Sequence, residues 1–154
     1  MADVARVTTV LVAVNDSPAA FAAAEVAVAY AARLGAQLRV VTIVDPTPVP
    51  GRAGQAFGAA LAGQLESEAA AILNHVAALA ARSGVEATTG QRTGTVASEI
   101  LNEAREVAAT LIVMASVDRP GHAIPKVGSH TLRVLEFASV PVLVVPGSAV
   151  PARP

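Results

Sequence analysis

Val7-Thr8-Thr9-Val10-Leu11-Val12-Ala13-Val14-Asn15-Asp16-Ser17-Pro18 is the stretch that decides the fold. Residues 7–14 are apolar or β-branched without alternating polar positions, the pattern of a strand covered on both faces, as in a parallel sheet. The next four residues stop the strand and start a helix. Ser17 is placed to cap it, and Pro18 suits its first position, where a missing N–H breaks no bond. Helical character runs on through Phe21, Val26, Val28 and Tyr30 to Leu34, and Gly35 stands where a left-handed closing residue belongs.

The same alternation repeats to the end of the chain. Residues 38–44 form a second strand of the same kind, and residues 45–54, with Pro46, Pro48 and Pro50, are irregular. A long helix spans about 59–82, with Leu61, Leu65, Ala69, Ile72, Val76 and Leu79 as one apolar stripe. Ser83-Gly84 ends it. Residues 85–91 alternate weakly and read as a strand near a sheet edge. Thr95 or Ser98 caps a helix that ends near Glu106, and residues 110–114 make the fourth strand. After an aperiodic stretch over 115–128, Ser129 caps a helix with Leu132, Leu135 and Phe137 inward. Residues 141–145 are the fifth strand, and 147–154 a tail with little to anchor it. Strands alternating with helices predict an α/β fold: an open five-stranded parallel sheet with helices on both faces, Rossmann-like, joined by right-handed crossovers. One domain over 1–154, with its core at about 7–146, is expected from the length of 154 residues.

Composition narrows the function classes. The 11 Lys+Arg and 12 Asp+Glu balance, so there is no basic field for a nucleic acid. Zero cysteines remove disulfides, thiolate metal sites and thiol catalysis, and fit a reducing cytoplasm. Hydrophobic residues reach 53%, yet the excess is largely helix-forming alanine. Charge or proline breaks every apolar run short of the ~20 residues a membrane span needs. The expectation is a cytoplasmic protein without membrane or nucleic-acid partners.

Ligands of open parallel sheets bind outside the carboxyl ends of the strands, where strand order reverses. Three segments lie there: Asn15-Asp16-Ser17, residues 43–54 and residues 116–129. The last ends Gly128-Ser129 at a helix start, where free N–H groups favour an anion, although a plain turn and cap explain the pair equally well. His75 reads as a surface or boundary residue, and His122 and His130 as solvated loop residues; two histidines without carboxylates make a poor metal site. Glu66 and Glu68, and Glu99, Glu103 and Glu106, read as solvated helix faces. No Gly-x-Ser-x-Gly elbow, P-loop or His-Glu-x-x-His motif is present. No residue is assigned a catalytic role.

Five segments in order carry a resemblance: Val12-Ala13-Val14-Asn15-Asp16-Ser17, Val41-Thr42-Ile43-Val44, Leu111-Ile112-Val113-Met114-Ala115-Ser116, Val127-Gly128-Ser129 and Val140-Pro141-Val142-Leu143-Val144-Val145-Pro146. Together they resemble the universal stress protein family from about Val7 to Pro146, which implies an adenine-nucleotide α-hydrolase-like sheet. In nucleotide-binding members an aspartate after the first strand and a valine backbone after the second hold adenosine, and a Gly-x-x-Gly, nine residues, Gly-Ser/Thr pattern wraps the phosphates. By position these fall on Asn15 and Ile43, and on Ala115, Asp118, Gly128 and Ser129. Only the last two keep the pattern. Asn15 still accepts a hydrogen bond. Ala115 adds a methyl where glycine tolerates positive φ best. Asp118 places a negative charge near a phosphate, a repulsion on the order of 1–4 kcal/mol, which Arg119, Lys126, His122 and His130 can offset in part. The resemblance therefore implies a non-enzymatic stress-response homodimer with weak or no ATP binding, paired through Val142, Leu143, Val144 and Val145. The alternative is a regulatory switch that binds ATP or AMP between the first and fourth strands.

Overall fold

The computed structural model describes residues 6–45, 54–116 and 128–146, with the backbone alone for 54–62. Strands and helices alternate as β1 (Thr9–Ala13), α1 (Pro18–Leu34), β2 (Gln37–Val44), α2 (Gly54–Arg82), β3 (Ala87–Thr93), α3 (Val96–Glu106), β4 (Leu111–Ala115), α4 (Ser129–Phe137) and β5 (Val142–Val145). The strands form one sheet in the order β3-β2-β1-β4-β5, every neighbouring pair parallel. The chain thus starts in the middle, winds outward to β3, then crosses back to β4 and β5. The reversal between β1 and β4 opens a crevice at their carboxyl ends.

The apolar run that opens β1 is divided between two cores. Val10 and Val12 pack with Val40 and Val113 under α1 and α2, while Leu11 packs with Val41 and Ile112 under α3 and α4. Alternate side chains point to opposite faces, so a strand covered on both sides needs apolar residues at every position. Alanine rather than the larger residues seats α1: Ala20, Ala23, Ala24, Ala27 and Ala31 are buried with Val28, whereas Tyr30 and Leu34 are exposed. Both expected caps of α1 are present. Ser17 Oγ accepts from the Ala20 N–H at 3.1 Å, and Gly35 closes the helix at φ +64°. Phe21 meets His75, itself exposed on α2, edge-on at 5.2 Å, joining the two helices on that face.

Four expectations shift. The long helix begins at Gly54, not near 59, and β3 spans Ala87–Thr93 because Val85 is spent in the core before the strand. α4 turns a different face inward: Thr131 and Val134 are buried, while Leu132, Leu135 and Phe137 are 54%, 42% and 63% exposed. The Thr131 hydroxyl, which donates to the Ala115 carbonyl at 3.3 Å, anchors this rotation. Gly128, not Ser129, is the α4 N-cap, with Ser129 the first helical residue. The proline-rich segment 46–53, most of the fourth loop (117–127) and the tail 147–154 lie outside the described residues.

Candidate functional site

A cavity of about 500 Å3 occupies the carboxyl ends of β1, β2 and β4, where the strand order reverses. Asn15 bounds it after β1, Ile43 near the end of β2 and Ala115 at the end of β4, so three residues far apart in sequence meet on one wall. Parallel pairing brings the strand ends level. Val14 N–H donates to the Val41 carbonyl at 2.9 Å, and Ser116 N–H to Val145 at 2.9 Å, extending the ladders past the strands themselves.

Local hydrogen bonding sets what Asn15 offers. Ser17 Oγ, which accepts from the Ala20 N–H, donates its own O–H to Asn15 Oδ1 at 2.6 Å. A hydroxyl already accepting donates onward, which fixes the amide orientation and leaves the Asn15 NH2 for a ligand. Asn15 is exposed, so a ligand reaches it from solvent. Ala115 carries no backbone strain: among the described non-glycine residues only Ala108 has a positive φ. Gly128, at φ −66°, likewise sits in a conformation open to any residue.

Gly128 and Ser129 are not among the residues lining the cavity; the next two, His130 and Thr131, are. His130 is thus the second residue of α4 rather than a loop residue; it is exposed, as expected, and it also lines the cavity. The sequence also did not mark Val96 and Ile100 of α3, which close the far side. The available clue was Gly128-Ser129 itself, since any helix beginning there brings its next residues to the same crevice. Asp118, Arg119, His122 and Lys126 lie outside the described residues.

An ion-pair network fixes α3, and with it that far side. Glu103, 2% exposed, receives Arg39 Nε at 2.7 Å and Arg92 Nη1 at 2.9 Å. Arg92 also reaches Glu99 at 2.6 Å and Glu106 at 2.7 Å. The three glutamates expected to be solvated are therefore gathered by two arginines from β2 and β3. Hydrogen bonds and charge from Arg92 hold the Glu106 carboxyl below the usual carboxylate range, and the same bonds raise Arg92. Among the described residues no cluster of three metal-ligating side chains occurs.

The family model described as the universal stress protein family matches residues 6–146. The chain belongs to the universal stress protein family. A universal stress protein of Methanocaldococcus jannaschii is 29% identical over 136 residues, covering 88% of this chain and 80% of that one. UspA from Lactobacillus plantarum superposes with a TM-score of 0.81 at 27% identity, over 91% of this chain and 98% of its own. Two more solved universal stress proteins share the fold. One, in complex with cAMP, has a TM-score of 0.68 at 23% identity, over 93% of this chain and 99% of that one. The other, from Archaeoglobus fulgidus in complex with dAMP, has a TM-score of 0.66 at 22% identity, over 90% and 98%. This family member keeps the five-stranded parallel sheet, and no helix among its described residues is long and apolar enough to cross a membrane.

Proposed function

We propose that this universal stress protein is a cytoplasmic regulatory protein that binds an adenine nucleotide of the monophosphate or cyclic class in the cavity at the ends of β1, β2 and β4, acting by binding rather than turnover. The observation that carries this reading is the cavity: about 500 Å3 at the strand-order reversal, with Asn15, Ile43 and Ala115 on its wall. Its volume lies within the usual range for small-molecule sites. Apolar side chains such as Ile43, Val96 and Met114 suit a base, and the Asn15 NH2 suits an acceptor on base or ribose. Relatives solved with cAMP and dAMP support the ligand class. Gly128 and Ser129 lie at the start of α4, next to the wall residues His130 and Thr131, and keep the role of an outer phosphate contact in this reading.

The chain is read as one domain over 1–154 that pairs with a second copy through β5. The sheet order supports that partner, because β5 is an edge strand whose Val142, Leu143 and Val144 are only half-buried.

Thermal denaturation with adenosine, AMP, cyclic AMP and ATP, each with and without Mg²⁺, tests the ligand. Cyclic AMP or AMP at 100 times its dissociation constant is expected to stabilise by about 2.7 kcal/mol, roughly 5–10 °C. Ala19→Phe, which puts a ring at a half-buried position on the cavity wall, abolishes the shift. No shift with any of the four at millimolar concentration overturns the reading and leaves a stress protein that works without a nucleotide.

A further inference from the structure

Asn15 is held by a short chain of hydrogen bonds. Ser17 N–H donates to the Asn15 carbonyl at 2.9 Å, the Ser17 hydroxyl donates to Asn15 Oδ1, and Ser17 Oγ accepts from the Ala20 N–H in the first turn of α1. The Oγ to Oδ1 separation of 2.6 Å suits an O–H donor, since N–H donors rarely approach closer than about 2.7 Å. The hydroxyl has one proton, and it lies toward Asn15 Oδ1. The corner of the planar amide turned away from Ser17 is therefore the NH2, and Asn15, exposed at the cavity wall, meets a ligand as a donor.

The place of Asn15 in the sheet determines which part of a nucleotide it meets. It follows β1, the middle strand, and the wall runs from Ile43 on β2 past Asn15 to Ala115 on β4. A nucleotide laid along these strand ends, in either direction, rests its middle on Asn15, and the middle of a nucleotide is its ribose. We propose that Asn15, oriented by Ser17, determines specificity for the sugar: its NH2 donates to a ribose oxygen, so the site takes nucleotides whose oxygen there carries no proton, cyclic and other esterified riboses included. A carboxylate at this position makes the opposite demand, because it only accepts and needs a hydroxyl that donates. Ser17 is the positioning residue, at once the cap of α1 and the source of the proton that fixes the amide. The proposal rests on the reading of the cavity as a nucleotide site.

Uncharged ligands test this polarity free of any phosphate effect. Calorimetry at neutral pH compares adenosine with its 2′-deoxy and 3′-deoxy analogues, which lose the oxygen, and with its 2′-O-methyl and 3′-O-methyl analogues, which keep the oxygen and lose only the proton. At one of the two positions the deoxy analogue is expected to bind about threefold to tenfold more weakly than adenosine, and the O-methyl analogue within about twofold of adenosine. In Asn15→Asp the O-methyl analogue at that position falls to the level of the deoxy one. Ser17→Asp has the same effect while keeping the helix cap: its carboxylate accepts from Ala20 but has no proton to give, so the Asn15 amide turns its NH2 toward it. Ser17→Thr retains the wild-type pattern. Deoxy analogues that both match adenosine, an O-methyl analogue as weak as its deoxy counterpart in the wild type, or an unchanged pattern in Ser17→Asp overturns the proposal, while adenosine binding keeps the nucleotide reading alive. No binding of adenosine also overturns the proposal, and the nucleotide reading falls with it when AMP fails to bind as well.

Discussion

Ala108 carries the left-handed turn that closes α3, at φ +53°, with its N–H donating to the Arg105 carbonyl and Ala109 N–H to Ala104. A Cβ in that region is costly, and glycine is the usual residue there. Ala108→Gly is expected to stabilise the protein by about 0.5–1 kcal/mol, read as a higher urea midpoint at constant slope. Gly90 shows the opposite case. A Cβ on it would lie 3.1 Å from Arg39 Cζ, so the bare backbone of β3 is what lets the guanidinium cross toward Glu103. In the sequence Gly90 only weakens a strand; its purpose depends on a side chain 51 positions earlier. Asn15 and Ser17 were more legible, since a cap two residues beyond a polar strand end is a local arrangement that short-range sterics determine.

α3 is the element whose role changed most between sequence and structure. Its glutamates look like a solvated stripe because helical spacing alone cannot show what stands opposite. β2 and β3 supply Arg39 and Arg92, and the buried Glu103 becomes the pin that holds the helix against the edge of the sheet. Glu103→Ala is expected to cost about 2–4 kcal/mol in urea denaturation, moderated because both arginines keep partial access to water. It also loosens Val96 and Ile100 at the cavity, so ligand affinity falls with stability. Glu106 supplies a pH signature. Its carboxyl titrates below the ordinary 4.5 in the folded protein, so its contribution is complete above that value and is lost as pH falls through the depressed folded one. Urea midpoints of Glu106→Gln are therefore expected to fall less steeply than those of the wild type between pH 5 and pH 3. The α4 register shows the same limit: Leu132 and Leu135 satisfy an inward stripe on paper, but Thr131 bonded to Ala115 turns them out.

Across the whole molecule the two sheet edges differ. β3 presents Thr88, Thr89, Gln91 and Thr93, a polar border that resists pairing, whereas β5 is apolar along its length. His130 and Phe137 share cavities with α3 residues, so the 100° step per residue places Leu132 and Leu135 on the flank of α4 away from α3, where both are exposed. Both features fit a two-fold contact with a second copy. Val144→Lys is expected to give a monomer in light scattering; an unchanged dimer would sink the β5 contact. The sequence by itself determined the alternation of strands and helices and their burial on two faces, because periodicity and caps are local and survive without coordinates, while the crevice between the first and fourth strands came from the family resemblance. Only the tertiary structure decided which face of α4 turns inward, that three glutamates are clamped by two arginines, and that His130 joins Asn15, Ile43 and Ala115 on one wall. Each of those depends on side chains from distant elements meeting in space, and the helical or strand period of one element carries no information about its partner.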